Sequence, residues 1–370
     1  MFESDIKKML ASVDVEIGGS HPWDIQVHNS KLYSRVLRFA NLGLGEAYME
    51  GWWDCKALDQ FFYRVLRGGL EKRFRFTLPV LMEIIAYSFR NLQSPERARM
   101  VAVHHYDFGN DVFEAMLDPA MQYSCAYWEH AADLEEAQRQ KMDMICRKLQ
   151  LQPGMSVLDI GCGWGGLGRY MAREYGVRVT GVTVSRAQAD YAREHDEGTD
   201  ARWLLQDYRT LSGTFDRIVS VGMFEHVGRK NYAVYMDTVR RLLSADGLFL
   251  LHTIGGNKAR RCVDPWIEKY IFKNGILPSI HLVGNCVEGR MVMEDWENLG
   301  AYYDKTLMCW AENFTRGREE RRFQCSEAQS RMFLYYLLSC AGAFRARDLQ
   351  LWQIVLSPGG VEGGYRRPKI

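Results

Sequence analysis

The sequence lacks an excess of charge of either sign. Its 47 lysines and arginines face 46 acids, for a formal net charge of +1. No global basic field gathers nucleic acid, so no nucleic-acid partner is expected. The nine cysteines include no C-x-x-C pair and no zinc spacing, and their number is odd. That argues against a disulfide framework and a metal site, and for free thiols in a reducing compartment. Met1-Phe2-Glu3-Ser4-Asp5 lacks the basic start and apolar run of a signal peptide. The longest apolar run, Phe74 to Phe89, is interrupted by Arg75, Pro79 and Glu83 and is too short to span a bilayer. Repeats and low-complexity tracts are missing as well. The expectation is a cytoplasmic or membrane-surface protein, and 370 residues exceed the usual size of one domain.

The most informative stretch is Val157-Leu158-Asp159-Ile160-Gly161-Cys162-Gly163-Trp164-Gly165-Gly166. Apolar residues lead into an acid, and four glycines then fall within six positions. The pattern predicts a buried strand, a tight turn and a helix starting near Leu167. Gly161 and Gly163 let the backbone approach a ligand that a Cβ would push away. Gly161, Gly163 and Gly166 also satisfy the G-x-G-x-x-G of dinucleotide binders, so spacing alone leaves a nicotinamide-dependent oxidoreductase open. Two details favour S-adenosylmethionine (SAM). Asp159 stands two residues before the first glycine, where SAM methyltransferases use a carboxylate to organise the amino-acid end of the cofactor. The next strand, ending at Val182-Thr183, lacks the acid that binds an NAD ribose.

Residues 1–92 read as a mainly helical N-terminal domain, with Tyr48-Met49-Glu50-Gly51-Trp52-Trp53 within it. Arg64, Arg67, Lys72, Arg73 and Arg75, interleaved with Phe74, Phe76 and Leu78, form either a solvated helix face or a surface for anionic lipid headgroups. A polar stretch with Pro95 places a linker at 93–105, and 106–370 form the second domain. There a helix is expected from about Leu134 to Leu149, with strands at 156–160, 178–183, 202–206, 216–221, 247–253 and 349–356. This is the alternation of an α/β fold with a Rossmann-like sheet flanked by helices. Ligands of such sheets sit beyond the carboxyl ends of the strands. Those ends carry Thr183 and Gln188, then Asp207 and Tyr208, then Glu225 and His226, then His252 and Ile254. A glutamate and a histidine at neighbouring strand ends suggest a proton-handling site.

Taken in order, Gln122-Tyr123-Ser124-Cys125-Ala126-Tyr127, the Gly-rich stretch, Gly181-Val182-Thr183, Phe224-Glu225-His226-Val227-Gly228 and Leu251-His252-Thr253-Ile254 resemble the cyclopropane-fatty-acid synthases. These SAM-dependent enzymes add a methylene across a cis double bond of phospholipid acyl chains. With the Trp52-Trp53 segment the resemblance covers nearly the whole chain and points to the bacterial phospholipid type. It implies a class I SAM-dependent methyltransferase sheet and an N-terminal lipid-binding domain. It also implies peripheral association with the inner face of the membrane and a bilayer of unsaturated phospholipid as partner. The sequence leaves a homodimer open.

The resemblance further implies a bicarbonate site at Cys125, Glu225, His252, Ile254 and Tyr303. It assigns SAM to Tyr123, Ser124, Gly161, Gly163, Thr183 and Gln188, with Asp207 and Tyr208 near the adenine. Attack of the alkene on the SAM methyl leaves a carbocation, and ring closure removes a proton from the transferred carbon, so a base is needed close by. In the implied arrangement, N–H groups of Cys125 and Ile254 and side-chain donors of His252 and Tyr303 hold bicarbonate, while Glu225 accepts its proton. Two further readings stay open: a lipid alkene C-methyltransferase without ring closure, and a silent SAM-binding lipid-surface protein. Cys340, in an apolar helical run, reads as a packing residue, since alkene methylation needs no enzyme nucleophile.

Overall fold

In the computed structural model of the chain, residues 2–70, 109–196, 198–260, 264–273 and 275–369 are described. The linker expected at 93–105, the apolar run Phe74 to Phe89, and Lys72, Arg73, Phe74, Arg75, Phe76 and Leu78 of the basic-aromatic cluster lie outside them. The described residues form two compact units. The first gathers those of 1–90, 260–273 and 303–349, and the second those of 91–259, 274–302 and 350–370.

The first unit is helical, apart from a short antiparallel pair, Gln26–Val27 with Trp53–Asp54. Helices Lys31–Met49, Leu58–Arg67 and Glu327–Arg345 pack around Trp53, Trp266 and Tyr335, all fully buried. Arg331 binds this unit together: its guanidinium donates to the carbonyls of Tyr48 and Trp53 and to Asp54, and lies 4.0 Å from the Tyr48 ring centroid. Of the expected lipid-facing cluster, Arg67 is exposed. Arg64 is instead engaged within the fold, since it donates to Asp14 at 2.8 Å and stacks 3.8 Å from the Trp23 ring centroid.

The second unit is built on a seven-stranded sheet: β1 Ser156–Ile160, β2 Arg178–Thr183, β3 Ala201–Leu205, β4 Phe215–Val221, β5 Leu243–Gly255, β6 Val292–Asn298 and β7 Gln350–Ser357. Their spatial order is β3-β2-β1-β4-β5-β7-β6. The first five in that order pair parallel, whereas β7 runs antiparallel to both β5 and β6. The chain order reverses beside β1, so the crevice at the carboxyl ends of β1 and β4 is the switch point where a ligand belongs. Central strands covered on both faces must be apolar, and Val157, Leu158, Ile218, Val219, Leu250, Ile354 and Val355 are fully buried.

Helix Gly166–Tyr175 follows the Gly-rich turn. Beneath that turn lies the Trp203 indole. A Cβ at Gly168 or Gly181 would come within 2.5 Å of its ring, so only glycines let the indole lie there. Trp203 is 5% exposed, and its Nε1–H donates to Asp196. Trp203→Ala should leave a large cavity under the turn and cost about 3–5 kcal/mol. Urea denaturation of parent and variant measures this; a loss below about 1 kcal/mol, within reach of an ordinary surface substitution, would contradict the packing described.

Candidate active site

The turn after β1 is tied to its neighbour, because the N–H groups of Gly161 and Cys162 both donate to the Val182 carbonyl at 2.9 and 3.1 Å. Gly161 has φ +84°, and a Cβ there would strike Met223 at 2.7 Å. Gly163 has φ +55°, yet a Cβ on it would meet only Gln188 Nε2, at 4.0 Å. Gly161 is therefore glycine for internal packing, while Gly163 opens onto space that a ligand can fill. At the end of β2 the Thr183 hydroxyl accepts from the Ser185 N–H and donates to Gln188 Oε1 at 2.9 Å. Ser185 caps helix Arg186–Glu194. After β3, Asp207 accepts from the Arg209 N–H and from both arms of its guanidinium. The half-buried Tyr208 follows, its phenol pushed up to about 12 by burial.

Tyr123 and Ser124 are held from below by helix Leu134–Lys148. Gln138 donates to the Ser124 carbonyl at 2.8 Å, and Lys141 Nζ donates to Ser124 Oγ at 3.0 Å and to Gln122 Oε1. Both are fully buried. Burial pushes the Lys141 ammonium down to about 8 and the Asp159 carboxyl up to about 7, and each charge opposes the other's shift. Sequence reading passed over Gln138 and Lys141. Their signal was position: with Leu134, Ala137 and Ile145 they occupy the stripe a helix turns to the core.

The proton-handling half follows β4 and β5. Glu225 sits in the 3-10 turn Phe224–His226 and is 7% exposed. Its Oε1 accepts the Ile254 N–H at 2.6 Å, and its main-chain carbonyl accepts the Ile276 N–H at 2.8 Å. Its Oε2 is buried without a partner. Loss of water raises the carboxyl to about 7, against the pull of the Ile254 N–H. The sequence reading gave that N–H to bicarbonate; the structure gives it to Glu225, because a buried carboxylate takes the nearest donor.

His252 stands two residues before Ile254 on β5, hence on the same side of the sheet, and is 1% exposed. Its Nδ1 lies 3.2 Å from Gln353 Nε2, and its Nε2 is buried without a partner. Burial holds its pKa well below the ordinary value, so the ring is neutral. Cys125 is buried near Leu299, the residue after β6, with Sγ 3.3 Å from the Ala126 carbonyl. Tyr303 belongs to the first unit, where its ring packs against Phe344 and Trp310. The Cys340 thiol is pushed up to about 12 by burial, far from the thiolate a nucleophile requires.

Two buried polar atoms without partners, one a carboxylate oxygen and one an imidazole nitrogen, at the ends of adjacent strands are costly unless a small polar ligand completes them. Among the described residues no group of three or more His, Cys, Asp or Glu side chains stands together as a metal site would require.

Comparison with known proteins fits this geometry. The sequence profile of the mycolic acid cyclopropane synthetase family matches residues 93–354. The cyclopropane-fatty-acyl-phospholipid synthase of Escherichia coli strain K12 is 56% identical over 359 residues, covering 97% of this chain and 94% of its own. Among solved structures, the cyclopropane synthase MmaA2 from Mycobacterium tuberculosis superposes with a TM-score of 0.66 at 34% identity, over 72% of this chain and 99% of that one. The mycolic acid cyclopropane synthase CmaA1, complexed with SAH and CTAB, gives 0.64 at 35% identity, over 71% and 98%.

Two outcomes test the site. Gly163→Ala adds one methyl group where only open space is seen, at the modest cost of about 1–2 kcal/mol for a left-handed backbone. It should keep the fold but weaken SAM binding at least about tenfold in calorimetry, since the added carbon takes the cofactor's place. The second concerns Glu225. Its carboxyl is raised from 4.5 to about 7 in the fold. Between those values the native state holds a proton that the unfolded chain has released, so stability falls as pH rises through the window. The parent should lose about 3 kcal/mol from this group between pH 4.5 and 8, and Glu225→Gln should not. Denaturant midpoints at the two pH values measure the difference; equal losses in both proteins would refute the buried, partnerless carboxylate.

Proposed function

The chain belongs to the mycolic acid cyclopropane synthetase family, and from that footing we propose that it is a cyclopropane-fatty-acyl-phospholipid synthase. It transfers a methylene from SAM to the cis double bond of an unsaturated phospholipid acyl chain, with bicarbonate held beside Glu225 and His252. The observation that carries the reading is the pair of buried, partnerless atoms, Glu225 Oε2 and His252 Nε2. They suit an ion that both donates and accepts hydrogen bonds, and the switch-point loops stand at the ends of the neighbouring strands.

When bound, SAM supplies an electrophilic methyl group. The residues that hold it are those of the switch point. Gly163 allows the close approach, Asp159 and the Tyr123–Ser124 segment organise the amino-acid end, and Thr183 and Gln188 take the ribose side. Asp207 and Tyr208 border the adenine. An alkene is a weak nucleophile, so the protein's task is to hold it in line and keep water away, and burial does the second. Ring closure needs a base at the transferred carbon, and bicarbonate supplies that basicity. Glu225 would hold the acid proton of the ion through Oε2, while the Ile254 N–H keeps the carboxylate from turning away. Cys125 lines the same side near Leu299. With a buried carboxyl at about 7, the accepting form gains population as pH rises past neutrality.

We place the enzyme at the membrane surface, because its substrate chains lie in a bilayer. No helix among the described residues is long and apolar enough to cross one, so access is from the surface. The N-terminal residues 1–92 are proposed as the lipid-engaging part, with the exposed Arg67 as one contact to headgroup phosphate.

Incubation with methyl-labelled SAM and vesicles of unsaturated phospholipid, followed by NMR of the lipid, should yield a labelled cyclopropane methylene. Rigorous removal of dissolved carbonate should slow turnover, and added bicarbonate should restore it. A methyl-branched alkene as product would overturn the ring-forming reading. Turnover indifferent to carbonate would overturn the role of the anion.

A further inference from the structure

Strands β5, β7 and β6 lie side by side, and their register sets three polar residues in one row: His252 opposite Gln353, and Gln353 opposite Glu297. Lys148, the last residue of its helix, adds a fourth. Its Nζ donates to Gln353 Oε1 at 2.7 Å and also to Glu297 Oε2. Arg367 donates to the other oxygen of Glu297 at 3.0 Å. Lys148, Gln353 and His252 are buried to within 1% of completely. Nothing in the chemistry of the family reaction asks for this row, so it calls for a physical reason.

The reason lies in hydrogen-bond direction. A lysine amine that donates to Glu297 presents N–H on that side of Gln353 as well, so the amide oxygen must face Lys148. The amide NH2 then faces His252. An NH2 group offers no lone pair to a hydrogen-bond donor, so His252 Nδ1 must be the acceptor and the single ring proton sits on Nε2. The opposite tautomer would press N–H against N–H in a place without water. His252 Nε2 is the atom left without a protein partner. The row therefore turns a two-state ring into one whose partnerless Nε2 is an N–H donor.

We propose that Gln353, oriented by the Lys148–Glu297 ion pair, is a positioning residue that locks His252 in its Nε2–H tautomer and makes it a donor to the bound anion. This rests on the reading that an anion occupies the site beside Glu225. An amide is required at position 353 because a carboxylate there would accept from Nδ1–H and invert the ring. Lys148 and Glu297 act through Gln353 and keep their own charges away from the reacting atoms.

The tautomer can be read directly from long-range 1H–15N spectra of protein labelled with 15N-histidine, at neutral pH and with no lipid or added carbonate. The His252 signals are identified as those lost in His252→Gln. The parent should show a protonated Nε2 and an acceptor-type Nδ1. Gln353→Glu should exchange the two signatures and lower turnover about 100-fold, the order found when a preorganised donor to an anion is removed. SAM affinity should stay within about twofold, because the cofactor loops are elsewhere. Gln353→Met, which only deletes the amide, should give a mixture of tautomers and a smaller loss of turnover. A parent ring protonated on Nδ1 overturns the proposal even if Gln353→Glu fails to fold. So does an inverted ring with parental turnover. If the ring inverts and activity falls in an enzyme indifferent to carbonate, the positioning role stands and the bicarbonate reading alone fails.

Discussion

Withdrawal of Glu225 from water is the constraint on which the active site depends. A carboxylate in a dry site has room for several hydrogen bonds, and at this one the Ile254 N–H donates to Oε1 at 2.6 Å. The remaining oxygen is buried without a hydrogen-bond partner, and desolvation raises the carboxyl to about 7. Such an arrangement persists only where surrounding structure over-determines it. Here the support is local and covalently close: the 3-10 turn Phe224–His226 is fixed by the hydrogen bond from Ile276, and Ile254 is fixed by pairing of β5 with β7. The carboxylate has little freedom to rotate into a better-satisfied position.

A second dependence runs through one helix, Leu134–Lys148. Gln138, Lys141 and Lys148 lie on its buried side, three, seven and ten residues apart, so they follow the helical stripe. The first two hold Gln122–Ser124, and the last holds Gln353 beside His252. Apolar residues at these positions would pack more cheaply than lysines, whose desolvation cost is visible in the lowered pKa of both amines. What the lysines add is direction. A Leu in place of Lys141 could fill the volume but could not choose which atoms of Gln122 and Ser124 face the ligand.

The parts of this architecture that were legible in sequence are those with strong local grammar. The strands at 156–160 and 178–183 fall where expected, because short valine-, leucine- and isoleucine-rich segments followed by a Gly-rich turn or ending in threonine admit few other readings. The strand expected at 202–206 runs from Ala201 to Leu205, and that expected at 247–253 extends to Leu243–Gly255. β6 was not expected at all. As an edge strand it pairs only with β7, so Val-Met-Glu-Asp-Trp-Glu-Asn needs no continuous apolar run. Glu225 and His252 stood out because polar residues just after apolar strands are rare. Gln353 and Glu297 did not, since their meaning lies in which strand neighbours which. Register between β5, β6 and β7 is set by segments some 50 to 100 residues apart, and no local pattern encodes it.

The same physical device recurs on both sides of the site. At the end of β2, the place of an acidic ribose ligand is taken by Thr183, whose hydroxyl accepts from the Ser185 N–H and donates to Gln188 Oε1. That fixes the Gln188 amide with its NH2 toward Gly163. Across the sheet, Lys148 fixes the Gln353 amide with its NH2 toward His252. In each case a neutral amide is oriented by a neighbour that donates to its oxygen. Under the proposed reaction, a cationic sulfonium donor and a bound anion would each respond strongly to a full charge placed beside them in a medium of low dielectric. Neutral amides carry a directed dipole without that field, and on the His252 side the charge that aims the amide, on Lys148, is held one residue further away. Glu225 carries its charge on the proton side of the proposed site, where the proposed chemistry would use it.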